Sequence, residues 1–289
     1  MLRFSPIVLA AVLLLSGCSA VQLAYNNADW WLTRQFSQYF DLDGAQRNAL
    51  RAQLQQRMEQ HRQHELADTV ALLDGWYRAF ERGLDRATVE QLMVQADAVI
   101  TTSLEQSVLL VAGVMVELDT DQQAHFESRL ARLSRDFRQR YRLDEPPARR
   151  MAEREQQVIE RIEDWTGRLS GSQRGELSAH IATWPELSEH WLAYRERKQG
   201  ELLELLRSEP TAEQIAAFLH AWLTLSDQPS ELRDGNSVLR GQLKTFLITL
   251  DRSLSSRQRQ QLLSRVDNYR QALASLVPEE PQVATLHEH

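Results

Sequence analysis

Apolar residues recur at three- and four-residue intervals along nearly the whole chain, and that period predicts helix throughout. Tyr25, Ala28, Leu32, Phe36, Tyr39 and Phe40 fall on one helical face, as do Leu66, Val70, Leu73, Tyr77, Phe80 and Leu84. Between these stripes, Gln55 to Glu65 is very polar, which predicts either an extended shape or a kink. Val108 to Val116 is apolar on every side, so this helix end is expected to be the most buried in the fold; it is too short to span a bilayer. Trp30 breaks its own stripe, since ~100° per residue sets it nearly opposite Leu32. Burial under a second layer is the expectation for it, with a membrane surface or a partner as the alternative.

Helix starts are marked by a repeated signal. Leu42-Asp43-Gly44-Ala45-Gln46 returns around Asp119 and Gln122, Ser170 and Gln173, Thr211 and Gln214, and Ser255 and Gln258. Each reads as a capping box, in which a short polar side chain accepts from first-turn amides and a glutamine three residues later reaches back. Leu84-Asp85 opens a sixth start without the glutamine. Pro146-Pro147 and Trp184-Pro185 mark breaks, and a new helix is expected near Pro185. The tail from Pro278 has no periodicity and is expected to be disordered.

These signals predict an all-α multi-helix bundle of antiparallel helices. The boxes at 42, 84 and 118 are followed by boxes at 169, 210 and 254 at similar intervals, on either side of Pro146. Two related halves, 25–145 and 148–277, are therefore one reading of the body. Ordinary helices capped at ordinary intervals are the other.

The amino terminus carries a different message. Arg3 precedes an apolar run from Ile7 to Leu15 that is too short for a membrane span, and small residues follow. Leu15-Ser16-Gly17-Cys18 resembles the lipobox of bacterial lipoprotein precursors. That resemblance implies removal of residues 1–17, a diacylglycerol on the Cys18 thiol and an N-acyl chain on its new amino group. Residues 18–24 would then be the anchor and a short linker. Several acyl chains make a durable tether. In that family the residue after the cysteine sorts the protein, and Ser19 implies the periplasmic face of the outer membrane.

Composition narrows the chemistry. Of 289 residues, 40 are acidic and 33 are Lys or Arg, giving a net charge of −7 that becomes −8 once Arg3 is removed. A mildly acidic body argues against general nucleic-acid binding. Lys198 and Lys244 are the only lysines, and Cys18 is the only cysteine, so lipidation leaves no thiol for a disulfide or a nucleophile. No phosphate loop, dinucleotide fingerprint or nucleophile elbow is present. His61, His64 and Glu65 lie within one helical turn and are weak metal candidates, since a site needs three or four converging ligands. No enzyme activity, metal or cofactor is expected beyond the acyl groups on Cys18.

The lipobox, Tyr25-Asn26-Asn27-Ala28-Asp29-Trp30, Tyr39-Phe40-Asp41-Leu42 with Gln46, and His61 to Leu66 together resemble a family of uncharacterised lipoproteins from Gram-negative bacteria. That likeness implies an outer-membrane lipoprotein without an assigned activity. The boxes also resemble, more weakly, the Leu-Thr-x-x-Gln repeats of periplasmic stress chaperones, which are smaller, often basic dimers without an anchor. The expected function is an envelope interaction module, with Tyr25, Trp30 and Trp31 as candidate interface. A holdase chaperone is the alternative, and a metal-dependent hydrolase ranks third. The expected partners are the membrane and an envelope protein.

Overall fold

The computed structural model describes residues 16–278, and these form twelve helices with no strand among them. In chain order they are α1 (Ser16–Asn26), α2 (Ala28–Phe40), α3 (Gly44–His64), α4 (Leu66–Arg82), α5 (Arg86–Val116) and α6 (Thr120–Arg140). Then come α7 (Pro147–Thr166), α8 (Gly171–Ile181), α9 (Ser188–Arg207), α10 (Ala212–Leu223), α11 (Ser230–Ser253) and α12 (Ser256–Ala274). The protein is an all-α helical bundle. The tail beyond Pro278 and Leu15 of the lipobox lie outside the described residues.

Local chemistry sets the boundaries. Asp43, Asp119, Ser170, Thr211 and Ser255 each accept from the amide of the glutamine three positions on, whose side chain accepts from the cap's own N–H. Asp85 caps α5 by accepting from both the amide and the hydroxyl of Thr88, with no glutamine reaching back. The leucines before four caps, Leu42, Leu84, Leu118 and Leu169, are buried and pin each corner into the core. Pro146 and Pro147 open α7, where a missing N–H costs nothing.

Of the two readings of the polar stretch, the kink is the one found: Glu65 leaves helical geometry at φ −123°, so α3 and α4 are separate helices. Other boundaries differ from the sequence reading. The first aromatic stripe is split at Asn27, and residues 18–24 before Tyr25 are helical, as part of α1. After Trp184-Pro185 the next helix starts at Ser188, three residues later than expected, because residues 185–187 continue the connection.

The core runs through both halves. Phe40, Leu50, Met115 and Phe126 from the first share one cluster with Leu202, Leu206 and Ile215 from the second. Packing also repeats between halves. α2 lies on α3 and α6, while α7 lies on α8 and α12. Across the middle, α4 packs on α12, α9 packs on α6, and α5 packs on α10.

Val108 to Val116 is not the most buried part of the fold. Ala112 and Met115 are buried, but Leu109 is 68% exposed and Val116 is also exposed. An all-round apolar sequence permits burial on every side without supplying the neighbours that would cover it. Here α5 lacks a covering layer over much of its length. It is the one described helix long and apolar enough to cross a membrane by length and composition, because it continues far to the amino-terminal side of Val108.

Candidate interaction surfaces

Three surfaces follow from this packing. The first is the exposed part of α5, where Val94, Ile100, Leu104 and Leu109 reach solvent on more than one face of the helix. Beside it, Leu104, Val108 and Val111 face Leu219, Trp222 and Leu223 of α10 across a groove of about 420 Å³. Its lining carries no charged group, and a single polar pair, His220 with Glu105 at 3.6 Å, bridges the same two helices. Uncovered apolar area of this kind marks a candidate interaction surface.

The second surface is the amino-terminal aromatic segment. Trp30 is 50% exposed and Trp31 54%, so Trp30 is not under a second layer. Arg34 lies over the Trp30 ring at 5.8 Å. Tyr25 is placed differently: it is half-buried, with its hydroxyl 2.8 Å from His61 Nδ1 and Arg62 over its ring. Tyr25 thus ties α1 to α3, and only the two tryptophans form an open aromatic surface. Ser16, Gly17, Cys18 and Ser19 lie in the first turns of α1, ahead of it.

Around His61, the polar kink is an ionic joint. Arg57 holds Glu65 through Nη1–Oε1 at 2.7 Å and Nη2–Oε2 at 2.9 Å, and also donates to the Ser103 carbonyl on α5. Burial pushes the Glu65 carboxyl up, but the bonds and charge of Arg57 outweigh it and hold the group below its ordinary value. Burial lowers the His61 imidazole and raises the Tyr25 phenol. With Glu65 committed to Arg57 and His61 to Tyr25, only His64 of the trio is open. Among the described residues, no three His, Cys, Asp or Glu converge as a metal site.

Both lysines serve packing. Lys198 is buried on α9, bonded to Glu201 at 2.7 Å and Asp227 at 2.9 Å, with its ammonium 4.2 Å from the Phe218 ring. Burial alone would lower its pKa, yet the two carboxylates raise it, which is opposite to what a nucleophilic amine requires. Burial and the Asp227 carboxylate push the neighbouring Tyr194 phenol up to about 12. Lys244 pairs with Glu90 and ties α11 to α5.

The third surface is a cleft between α2, α3 and α6 of about 670 Å³. Its lining includes Arg34, Arg47, Arg51, Arg129 and Arg132. Sequence reading missed it because those arginines come from three separate stretches. The local signal available was Arg129 and Arg132 at helical i,i+3 spacing in a chain that is acidic overall.

Residues 38–233 match a family of unknown function, DUF6279. The chain belongs to that family. The DUF6279 stretch takes in the boxes at Asp43, Asp119, Ser170 and Thr211, the whole of α5 and the groove with α10. It begins after Cys18, Tyr25, Trp30 and Trp31 and stops early in α11. No curated protein and no solved structure matches the chain.

Proposed function

We propose that this DUF6279 protein is a lipid-anchored helical interaction module facing the periplasm, which docks an envelope protein on the exposed part of α5. The observation that carries the reading is the charge-free groove that Leu104, Val108 and Val111 form against α10, an apolar surface left open in the folded chain. Cys18 after Leu15-Ser16-Gly17 supports the anchor, and Ser19 the outer membrane. No enzymatic step is part of this proposal.

A holdase is the second reading, favoured by the groove's lack of charged groups, which gives it little means of choosing among apolar clients. We also propose that the halves descend from a duplication, because the first box of each pairs with the third and the same helices pack in each.

Photo-crosslinking from position 104, exposed at the groove, in intact cells, followed by mass spectrometry, separates these readings. One discrete protein adduct supports the module. A broad set of unrelated envelope proteins, with near-stoichiometric protection of unrelated clients by the purified chain, moves the reading to the holdase. Adducts confined to the chain itself overturn both.

A further inference from the structure

The arginine cleft has a composition the rest of the chain does not. Its lining holds five arginines against one carboxylate, Asp41, in a protein with 40 acidic residues and 33 Lys and Arg. Two of the five have other work: Arg51 contacts Asp29 at 3.2 Å, and Arg47 donates to the Leu42 carbonyl at 3.0 Å. Arg34, Arg129 and Arg132 have no carboxylate partner among the described residues. Arg34 rests on the Trp30 ring and Arg129 on Tyr39 at 5.2 Å, so both guanidiniums are held by stacking with their edges available. Arg129 Nε is buried and meets no acceptor. His125, also in the lining, engages the Gln38 carbonyl through Nε2 at 3.1 Å and adds no negative charge.

A buried donor without an acceptor and several unneutralised guanidiniums ask for an oxyanion, and phosphate matches the guanidinium fork. Either a phospholipid headgroup or a free phosphate has that chemistry. Trp30 decides between them. It lines the same cleft and is half exposed, with Trp31 exposed beside it, and indoles favour the headgroup layer of a membrane. We propose that the cleft between α2, α3 and α6 binds phosphate groups of anionic lipid headgroups, with Trp30 entering the interface beside them. This site stands on its own residues and does not require acylation of Cys18.

The test compares the unlipidated full chain (Cys18→Ala) with two triple variants made in it. One is Arg34→Ala with Arg129→Ala and Arg132→Ala, in the cleft. The other is Arg86→Ala with Arg161→Ala and Arg257→Ala, outside it, with the same change in net charge. All share one amino-terminal segment, so differences report the arginines. Co-sedimentation uses phosphatidylcholine vesicles with and without about 30 mol % phosphatidylglycerol. The proposal expects the cleft variant to bind the anionic vesicles about a hundredfold more weakly than its parent, and the control to stay within about twofold. Should the cleft variant melt early, Arg34→Ala with Arg132→Ala, both exposed positions, replaces it, with an expected loss of about tenfold or more. Equal losses in cleft and control variants overturn the site. So does saturable binding of inorganic phosphate by a chain that shows no preference for anionic vesicles.

Discussion

Gln46 and Gln122, 76 positions apart, hold each other's side-chain amides: Gln122 donates to Gln46 Oε1 at 2.6 Å and Gln46 to Gln122 Oε1 at 3.2 Å. Each also donates to the carbonyl two residues before the other's cap, Gln122 to Asp41 and Gln46 to Glu117. Gln173 and Gln258 repeat the pattern, donating to each other and to the Ser253 and Arg168 carbonyls. A local capping device is thereby turned into a tertiary lock that joins the starts of two helices.

That lock predicts coupling. Gln122→Ala removes a box, a buried partner and a carbonyl's donor together, and is expected to cost about 1–3 kcal/mol. Gln46→Ala should cost less, because it is more exposed. The double variant should be less destabilised than the two single losses combined, which urea titrations of all four chains will read. Additive losses would mean the amides act only as separate caps.

Acid should loosen the kink at Glu65 in two stages. The His61 pKa is lowered in the folded chain, so the unfolded chain binds a proton there first, and stability falls as pH drops below about 6.5. Glu65 is also lowered, so its contribution is present above about 4.5 and is lost as pH falls through the folded value. His61→Gln should flatten the first stage and leave the second. Urea midpoints measured between about pH 2 and pH 8 give the comparison.

Asp251 is 2% exposed and joins two corners of the bundle. It accepts from the Leu84 amide at 2.9 Å and from Arg259 at 2.6 Å, while Arg259 also donates to the Phe80 carbonyl. Asp251→Ala leaves a guanidinium without its counter-charge and an amide without its acceptor. The expected loss is about 3–5 kcal/mol. Asp251→Asn keeps an acceptor and should lose less; thermal melts will rank them.

Two aspartate substitutions on α5, at Leu109 and Ala112, separate surface from core. Leu109→Asp should change stability by no more than about 0.5 kcal/mol, since the side chain already meets solvent. Ala112→Asp, at a fully buried position, should cost about 3 kcal/mol or more. If Leu109→Asp proves equally damaging, the α5 face is not open.

Helix starts were legible because a cap is local: Asp, Ser or Thr with glutamine three residues later determines both partners within one turn. The kink was legible as an either-or, since a polar middle cannot be dry on any face. What periodicity could not reach was pairing. Nothing near Gln46 names Gln122, and nothing near Arg34 names Arg132, because three-dimensional neighbours across helices leave no trace in a single stretch. Val108 to Val116 failed for a related reason. Hydrophobicity states what a helix tolerates, while the count of helices around it decides what is covered. Trp30 was misplaced likewise, with no neighbour positioned to form the second layer.

The tether is the claim that fixes where this protein works, and the intact mass of the protein isolated from the envelope tests it most directly. The account predicts a chain starting at Cys18, heavier than its polypeptide by a diacylglyceryl group and one N-acyl chain, with Cys18→Ala abolishing both the cleavage and the added mass. A mature chain that begins elsewhere, or that carries no lipid at Cys18, would contradict it.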